Sequence, residues 1–237
     1  MQRNKIHILS TRPIGEALVK EAAQNDIIID EVSFIKIEEI VNTEIEERIA
    51  ELAHQNITAV FTSKNAVNVV GKLISTKTSW KIFCIGNATR EGVERIFGEE
   101  NIIGTAYYGG QLAEKIIENS SIKKVVFFCG DQRRDELPGK LKKNGIEMEE
   151  IVVYKTIETS QALSKKYDGI LFFSPSAVQS FFSKNSINQK TQIFVIGTTT
   201  ASAVKSFTQQ PVIIAEIPGK ENLMNLAIKH FSKSEIL

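Results

Sequence analysis

Five short polar turns in the 237-residue sequence lie between an apolar run and a helical pattern: Ser63-Lys64-Asn65, Gly86-Asn87-Ala88-Thr89, Gly130-Asp131-Gln132, Ser174-Pro175-Ser176 and Gly197-Thr198-Thr199-Thr200. At such a junction the first amides of a helix lack an intrahelical acceptor, so N–H groups and nearby hydroxyls can hold an anion. Any one turn is explained as well by an ordinary N-cap. Their shared placement favours a ligand role for Ser63, Asn65, Gly86, Ser174, Ser176, Gly197, Thr199 and Thr200. Arg12 follows the first apolar run in Ile8-Leu9-Ser10-Thr11-Arg12-Pro13. There its guanidinium is placed to fork onto a carboxylate. Arg133 and Arg134 lie near Asp131 and Asp135, where local charge pairing is an even alternative, and Lys64 is equally open. Tyr154 stands in Ile151-Val152-Val153-Tyr154-Lys155-Thr156, either packing its ring or turning its hydroxyl toward a ligand.

Other chemistries lack their spacing. No G-x-G-x-x-G follows an apolar run, and no phosphate-loop, H-E-x-x-H or C-x-x-C motif occurs. His7, His54 and His230 are far apart, and Ser63 and Ser174 lack a G-x-S-x-G elbow. The expectation is therefore an enzyme without metal or cofactor. Cys84 and Cys129 each sit in an apolar run that reads as a buried strand, which suits a reducing compartment. With 29 basic and 28 acidic residues the net charge is +1, so no general footprint for nucleic acid or an anionic membrane exists. No stretch approaches the length of a membrane span, and the first residues lack the apolar core of an export signal. The expected location is the cytoplasm.

The elements that must position these residues alternate: short β-branched apolar runs with amphipathic helical patterns, the rhythm of βαβ units around parallel sheets. Strands are expected at residues 5–10, 27–33, 57–63, 81–86, 124–130, 169–174, 192–197 and 212–215. A repeat at an offset of 111 residues relates Phe61, Ser63, Ala66, Val67, Phe83, Ile85, Gly86, Thr89 and Val93 to Phe172, Ser174, Ala177, Val178, Phe194, Ile196, Gly197, Thr200 and Val204. A constant register over two strands and two turns implies two related lobes. Residues 35–38 and 151–157 alternate apolar and polar positions without a helix beside them and read as a pair of crossings. The fold class expected is α/β, with two parallel-sheet lobes joined by a two-stranded β connection. One lobe is discontinuous, formed by residues 1–34 and 158–237, with residues 39–150 as the inserted lobe.

The chain resembles the uroporphyrinogen-III synthase family along nearly its whole length. The likeness rests on Thr11-Arg12-Pro13, Val60 to Val67, Ile85-Gly86, Val126 to Gly130 with Arg134 and Leu137, Val153-Tyr154, Phe172 to Val178 and Ile196 to Ala201. The resemblance implies two α/β lobes with the active site between them. It implies that hydroxymethylbilane, a linear tetrapyrrole with acetate and propionate arms, loses water and closes with its last pyrrole inverted. Loss of the hydroxyl gives an azafulvene, and the last ring attacks it to form a spiro intermediate. Fragmentation and reclosure then invert that ring. By resemblance, Tyr154 assists departure of the hydroxyl, and Ser174 and Thr200 match cleft positions. Expected partners are the small-molecule substrate and a transient handover from hydroxymethylbilane synthase, with the protein a monomer. The competing reading is a cytosolic two-lobed protein that binds or senses an anionic small molecule.

Overall fold

Alternation between two faces shapes both sheets, because successive strand side chains point to opposite sides and each side is covered by helices. The computed structural model describes residues 5–86 and 88–233. The chain opens with β1 (Ile6–Ser10), α1 (Glu16–Gln24), β2 (Ile27–Glu31) and β3 (Ile35–Glu39). It continues with α2 (Thr43–Ala53), β4 (Thr58–Phe61), α3 (Lys64–Leu73), β5 (Lys81–Ile85), α4 (Ala88–Phe97), β6 (Ile102–Ala106), α5 (Gly109–Glu118), β7 (Lys124–Gly130), α6 (Glu136–Lys143) and β8 (Glu147–Glu158). Last come β9 (Gly169–Phe172), α7 (Pro175–Phe182), β10 (Gln192–Val195), α8 (Thr198–Lys205), β11 (Val212–Ile214) and α9 (Lys220–Lys233).

Two compact units result. The first combines the residues up to Lys36 with those from Ile157 onward, and the second is Ile37–Thr156. The first unit's sheet has the order β11-β10-β9-β1-β2, and the second sheet has the order β3-β8-β7-β4-β5-β6. Pairing is parallel throughout the first sheet and from β8 to β6 in the second. The boundaries between the units fall inside β3 and β8, which are hydrogen-bonded neighbours.

Burial follows the period of two. In the second unit Ala59, Phe61, Ile82, Cys84, Val126 and Phe128 face one side, where Val67, Val70 and Val93 of α3 and α4 meet them. Val60, Phe83, Val125, Phe127 and Cys129 face the other, against Leu112, Ile116, Leu137 and Leu141 of α5 and α6. In the first unit Ile8, Leu171 and Phe194 pack under α1 and α9, while Leu9, Ile170, Phe172 and Ile193 pack under α7 and α8. The second unit's α3 side is an aromatic stack. Phe128 lies 5.2 Å from Phe61 and 5.4 Å from Trp80, ring centre to ring centre. The buried Trp80 indole donates to Leu52 O at 2.8 Å, so its N–H is satisfied.

Four elements differ from the sequence reading. β6 was not expected: Ile102-Ile103-Gly104-Thr105-Ala106 has only two large apolar residues and forms an edge, where a strand is buried less. The 111-residue offset does carry Ile102 and Ile103 onto Ile213 and Ile214 of β11. β8 begins at Glu147, so the alternating stretch at 151–157 is the second half of a strand that pairs with β7 from Glu147 to Tyr154. β4 and β9 end at Phe61 and Phe172 because Ser63 and Ser174 leave the ladder to cap α3 and α7.

Phe128 is fully buried between two rings, so Phe128→Ala removes transfer energy and leaves a cavity. A loss of about 3–5 kcal/mol in unfolding free energy is expected. Urea unfolding followed through Trp80, the sole tryptophan, checks it.

Candidate functional site

Where the strand order of an open parallel sheet reverses, the loops on either side leave for opposite faces and a crevice opens beyond the carboxyl ends. In the second unit that point lies between β4 and β7, since the strand order steps outward from β4 through β5 to β6 on one side and from β7 to β8 on the other. After β4 the chain enters α3 on one face, and after β7 it enters α6 on the opposite face. In the first unit the reversal lies between β9 and β1, with α7 and α1 on opposite faces.

Tyr154 reaches the second unit's reversal point through an irregularity. Cys129 pairs with Val152, but Gly130 pairs with Tyr154, so Val153 is an extra residue in β8. Strict alternation from Val153, which packs on the α3 side, would send Tyr154 to the α5 and α6 side. The bulge turns it back, and its ring packs with Ile151 and Val153 on the α3 side. The bulge is pinned: Ile40 N donates to Val153 O at 2.9 Å, and Asp131 N to Tyr154 O at 3.0 Å. Thr156 N donates to the Asp131 carboxylate at 2.9 Å. Gly130 makes room for the ring, because a Cβ there would lie 2.4 Å from Cζ and 2.7 Å from Oη of Tyr154.

The Tyr154 phenol donates to Ser63 Oγ at 3.0 Å. Ser63 in turn caps α3, its Oγ accepting from Asn65 N at 3.2 Å. The Asn65 side chain also interacts with the phenol. Burial is the largest influence and holds the phenol above the usual tyrosine range, reinforced by Cys129 and Asp131 and opposed by Ser63 and Asn65. The phenol is therefore a protonated donor at neutral pH.

In the first unit Arg12 is exposed, with its guanidinium carbon 5.4 Å from the centre of the Phe173 ring. No carboxylate pairs with it among the described residues, and the contact with Pro13 O is long at 3.4 Å. Ser174 caps α7 by accepting from Ala177 N at 3.2 Å. Ser176 lies in that helix's first turn, half-buried. α8 starts at Gly197 without a side-chain cap, and Thr198 and Thr199 are exposed. Thr200 is 1% exposed, so its side chain is packed inside the unit and not presented to a ligand. The start of α1 is closed: a Glu31 carboxylate oxygen accepts from Ile14 N at 2.6 Å.

The second unit brings Ser63, Asn65 and Tyr154 together, and the first brings Arg12 beside Phe173, which neighbours Ser174. Gly86 stands apart. Its amide is used in the sheet, donating to Ala106 O at 2.7 Å, and it lines a groove of about 540 Å³ with Arg90 and Tyr107. Asn87 lies outside the described residues. Arg133 is committed to Glu150 and Asp135. Lys64 and Arg134 are exposed and form no ion pair among the described residues. Burial pushes the Cys84 thiol up to about 11 and Cys129 up to about 12, so neither is a thiolate nucleophile. Another cavity, about 650 Å³, opens at the amino edge of the second sheet, where Arg48 and Lys124 are paired with Glu149. Sequence reasoning named the Gly130 turn but missed that Gly130 seats the Tyr154 ring, and it missed Phe173 beside Arg12. A glycine closing a run of buried residues, at Cys129-Gly130-Asp131, was the available signal for the first.

Residues 16–225 match the family described as uroporphyrinogen-III synthase HemD. The chain belongs to the uroporphyrinogen-III synthase family. It is 30% identical over 128 residues to the uroporphyrinogen-III synthase of Saccharomyces cerevisiae, covering 50% of this chain and 43% of that protein. The chain thus spans less than half the length of that curated relative. Its fold is that of a mutant uroporphyrinogen III synthase from the extremely thermophilic bacterium Thermus thermophilus, at TM-score 0.65 and 12% identity over 97% of this chain and 99% of the other. It is also that of uroporphyrinogen-III synthetase from Helicobacter pylori 26695, at TM-score 0.65 and 17% identity over 95% and 99%.

A Gly130→Ala change forces the Tyr154 ring out of its seat, because the added carbon meets the ring rather than a flexible chain end. Overpacking of this kind costs about 1–3 kcal/mol. The expected outcome is a folded protein whose Tyr154 phenol no longer bonds to Ser63, read by the phenol's titration against the parent.

Proposed function

We propose that this chain closes hydroxymethylbilane to uroporphyrinogen III, inverting the last pyrrole and releasing water, as a step of tetrapyrrole biosynthesis. Family membership supports the activity, and one observation carries the mechanism: the half-buried, protonated Tyr154 phenol beside the start of α3, 3.0 Å from Ser63 Oγ. The bond to break joins a carbon to a hydroxyl. A pyrrole nitrogen pushes electrons toward that carbon, so the protein's share is to give the departing oxygen a proton and hold the chain for the right closure.

The anionic arms need donors. In the first unit the proposed donors are Arg12 and the turn at Gly197 to Thr199, with Ser174 and Ser176 at the start of α7. In the second they are Lys64, Asn65 and Arg134. Phe173 under the Arg12 guanidinium keeps that side chain near the crevice, since a cation over a ring face is attracted to it. Helix starts and three cations without a carboxylate partner among the described residues serve a polycarboxylate without a large net charge. We propose further that the chain acts as a cytoplasmic monomer and takes its substrate from hydroxymethylbilane synthase. Free substrate closes by itself without inversion, which favours a short transfer.

Incubation of the purified protein with hydroxymethylbilane is expected to yield the type III isomer without added metal or cofactor. Only the uninverted isomer would refute the proposal. Tyr154→Phe keeps the ring and removes the proton donor, so its single-turnover rate is expected to fall by about 10²- to 10⁴-fold. Because burial raises the phenol's pKa, loss of activity from ionisation of Tyr154 is expected above pH ~10 and not near neutrality. A pH–rate profile of parent and Tyr154→Phe checks the position of that limb.

A further inference from the structure

We propose that Ser63 is a positioning residue for the acid step, its hydroxyl alternating between accepting the Tyr154 proton at rest and donating to the phenol oxygen as that proton leaves. The proposal rests on the reading of Tyr154 as the acid. A phenol whose proton is directed at Ser63 is not yet directed at a substrate, so the resting bond has to be exchanged.

The geometry allows that exchange without moving a heavy atom. A hydroxyl has one proton and two acceptor positions. At rest Ser63 Oγ uses both acceptor positions, one for the Tyr154 O–H at 3.0 Å and one for Asn65 N at 3.2 Å. Rotation about the Cβ–Oγ bond turns its own proton toward Tyr154, and an oxygen–oxygen separation of 3.0 Å serves donation in either direction. The Asn65 bond is kept throughout. That amide belongs to the first turn of α3, so the chain from Asn65 N–H through Ser63 O–H to the phenol oxygen is polarised by the positive end of a helix. Such a chain stabilises charge developing on the phenol oxygen.

Capping alone does not require the phenol. Ser174, the repeat partner of Ser63, caps α7 through a single bond from Ala177 N. The phenol contact is an addition at Ser63, made by the bulge at Val153 and the space at Gly130.

In the step itself the phenol O–H bond and the substrate's carbon–oxygen bond break. Both electrons of the carbon–oxygen bond leave with the oxygen, which takes the phenol proton and departs as water. A pyrrole-stabilised cation and a phenolate remain, the latter held by Ser63 O–H. The phenolate recovers a proton when the attacking pyrrole loses its ring hydrogen on closure. Ser63 supplies a hydrogen bond and never gives up its proton.

The test uses Ser63→Gly, Ser63→Thr, Tyr154→Phe and the double variant Ser63→Gly with Tyr154→Phe in the full chain. Glycine replaces serine at an N-cap with little loss of helix stability, so the fold is retained. Ser63→Gly is expected to slow single turnover about tenfold, the effect of one hydrogen bond to a charged group, when Tyr154 is present. In the Tyr154→Phe background the same change is expected to alter the rate less than about twofold. Without substrate, Ser63→Gly is expected to raise the phenol's titration midpoint by about one pH unit, read by ultraviolet difference against Tyr154→Phe. Asp131 and Cys129, the titratable groups facing the phenol, are present in every variant. Ser63→Thr keeps the hydroxyl and is expected to restore both rate and midpoint. Equal slowing in both backgrounds, or an unmoved midpoint, overturns the proposal and leaves Ser63 a cap or a ligand donor. A fully active Tyr154→Phe overturns the acid reading itself, and the positioning role falls with it.

Discussion

One extra residue in one strand governs the chemistry that the second unit can offer. Val153 breaks the alternation of β8, and in an unbulged strand with the same residues Tyr154 would face α5 and α6 instead of the start of α3. A bulge leaves backbone groups unpaired unless something meets them. Here Ile40 takes Val153 O and Asp131 takes Tyr154 O, while the Asp131 carboxylate holds Thr156 N. The same loop that leaves β7 for α6 therefore fixes the strand that carries the phenol. Gly130 completes the arrangement by contributing no side chain. A polar tip on a large ring, half-buried and bonded at its oxygen, is held in one rotamer, and that is the condition for a donor to act at a chosen atom.

Charge is distributed by the same logic. Several cations of the second unit are spent on neighbours, among them Arg48 on Glu149 and Glu51, Arg90 on Glu94 and Glu99, and Arg133 on Glu150 and Asp135. Exposed pairs of this kind add little stability, but they remove competing positive charge from the surface. Arg12, Lys64 and Arg134 are left without carboxylate partners among the described residues, and each follows the carboxyl end of a central strand. A near-neutral chain can in this way present local positive potential where helix starts already point N–H groups outward. Glu31 shows the converse, since its carboxylate fills the start of α1 and closes it to other anions.

Much of the fold was legible because buried parallel strands leave a strong mark. Runs such as Val125 to Cys129 are apolar on both faces, and the helices between them have one apolar side. β6 escaped because an edge strand needs few apolar residues. The turns at Ser63 and Ser174 could be read because capping residues have a narrow chemistry. What could not be read was the contact between Tyr154 and Ser63, which are 91 residues apart and meet only because of a register shift. Neither period nor composition encodes an irregularity of one residue. Thr200 is the opposite case: its type and turn suggested a ligand donor, yet the helical period carries it into the core.

The internal repeat is visible over only part of each unit, and the sheet orders explain why. The offset of 111 residues superimposes β4-α3-β5-α4 on β9-α7-β10-α8, and the equivalence extends to β6 and β11. The two remaining strands occupy the same places in each sheet, β7 and β8 in one and β1 and β2 in the other. They follow β6 in one unit, but precede β9 in the other by the whole length of the insertion. The units are thus circular permutations of one strand order, and no single offset can align all five strands. Both reversal points, β4 beside β7 and β9 beside β1, are built from one repeated and one permuted strand. The repeated strand supplies the capping serine in each case, Ser63 or Ser174. The permuted side supplies what differs, a pinned phenol in one unit and a guanidinium over a phenyl ring in the other. The duplicated elements thus share the task of starting a helix, while the permuted side carries the side chains that differ between the units.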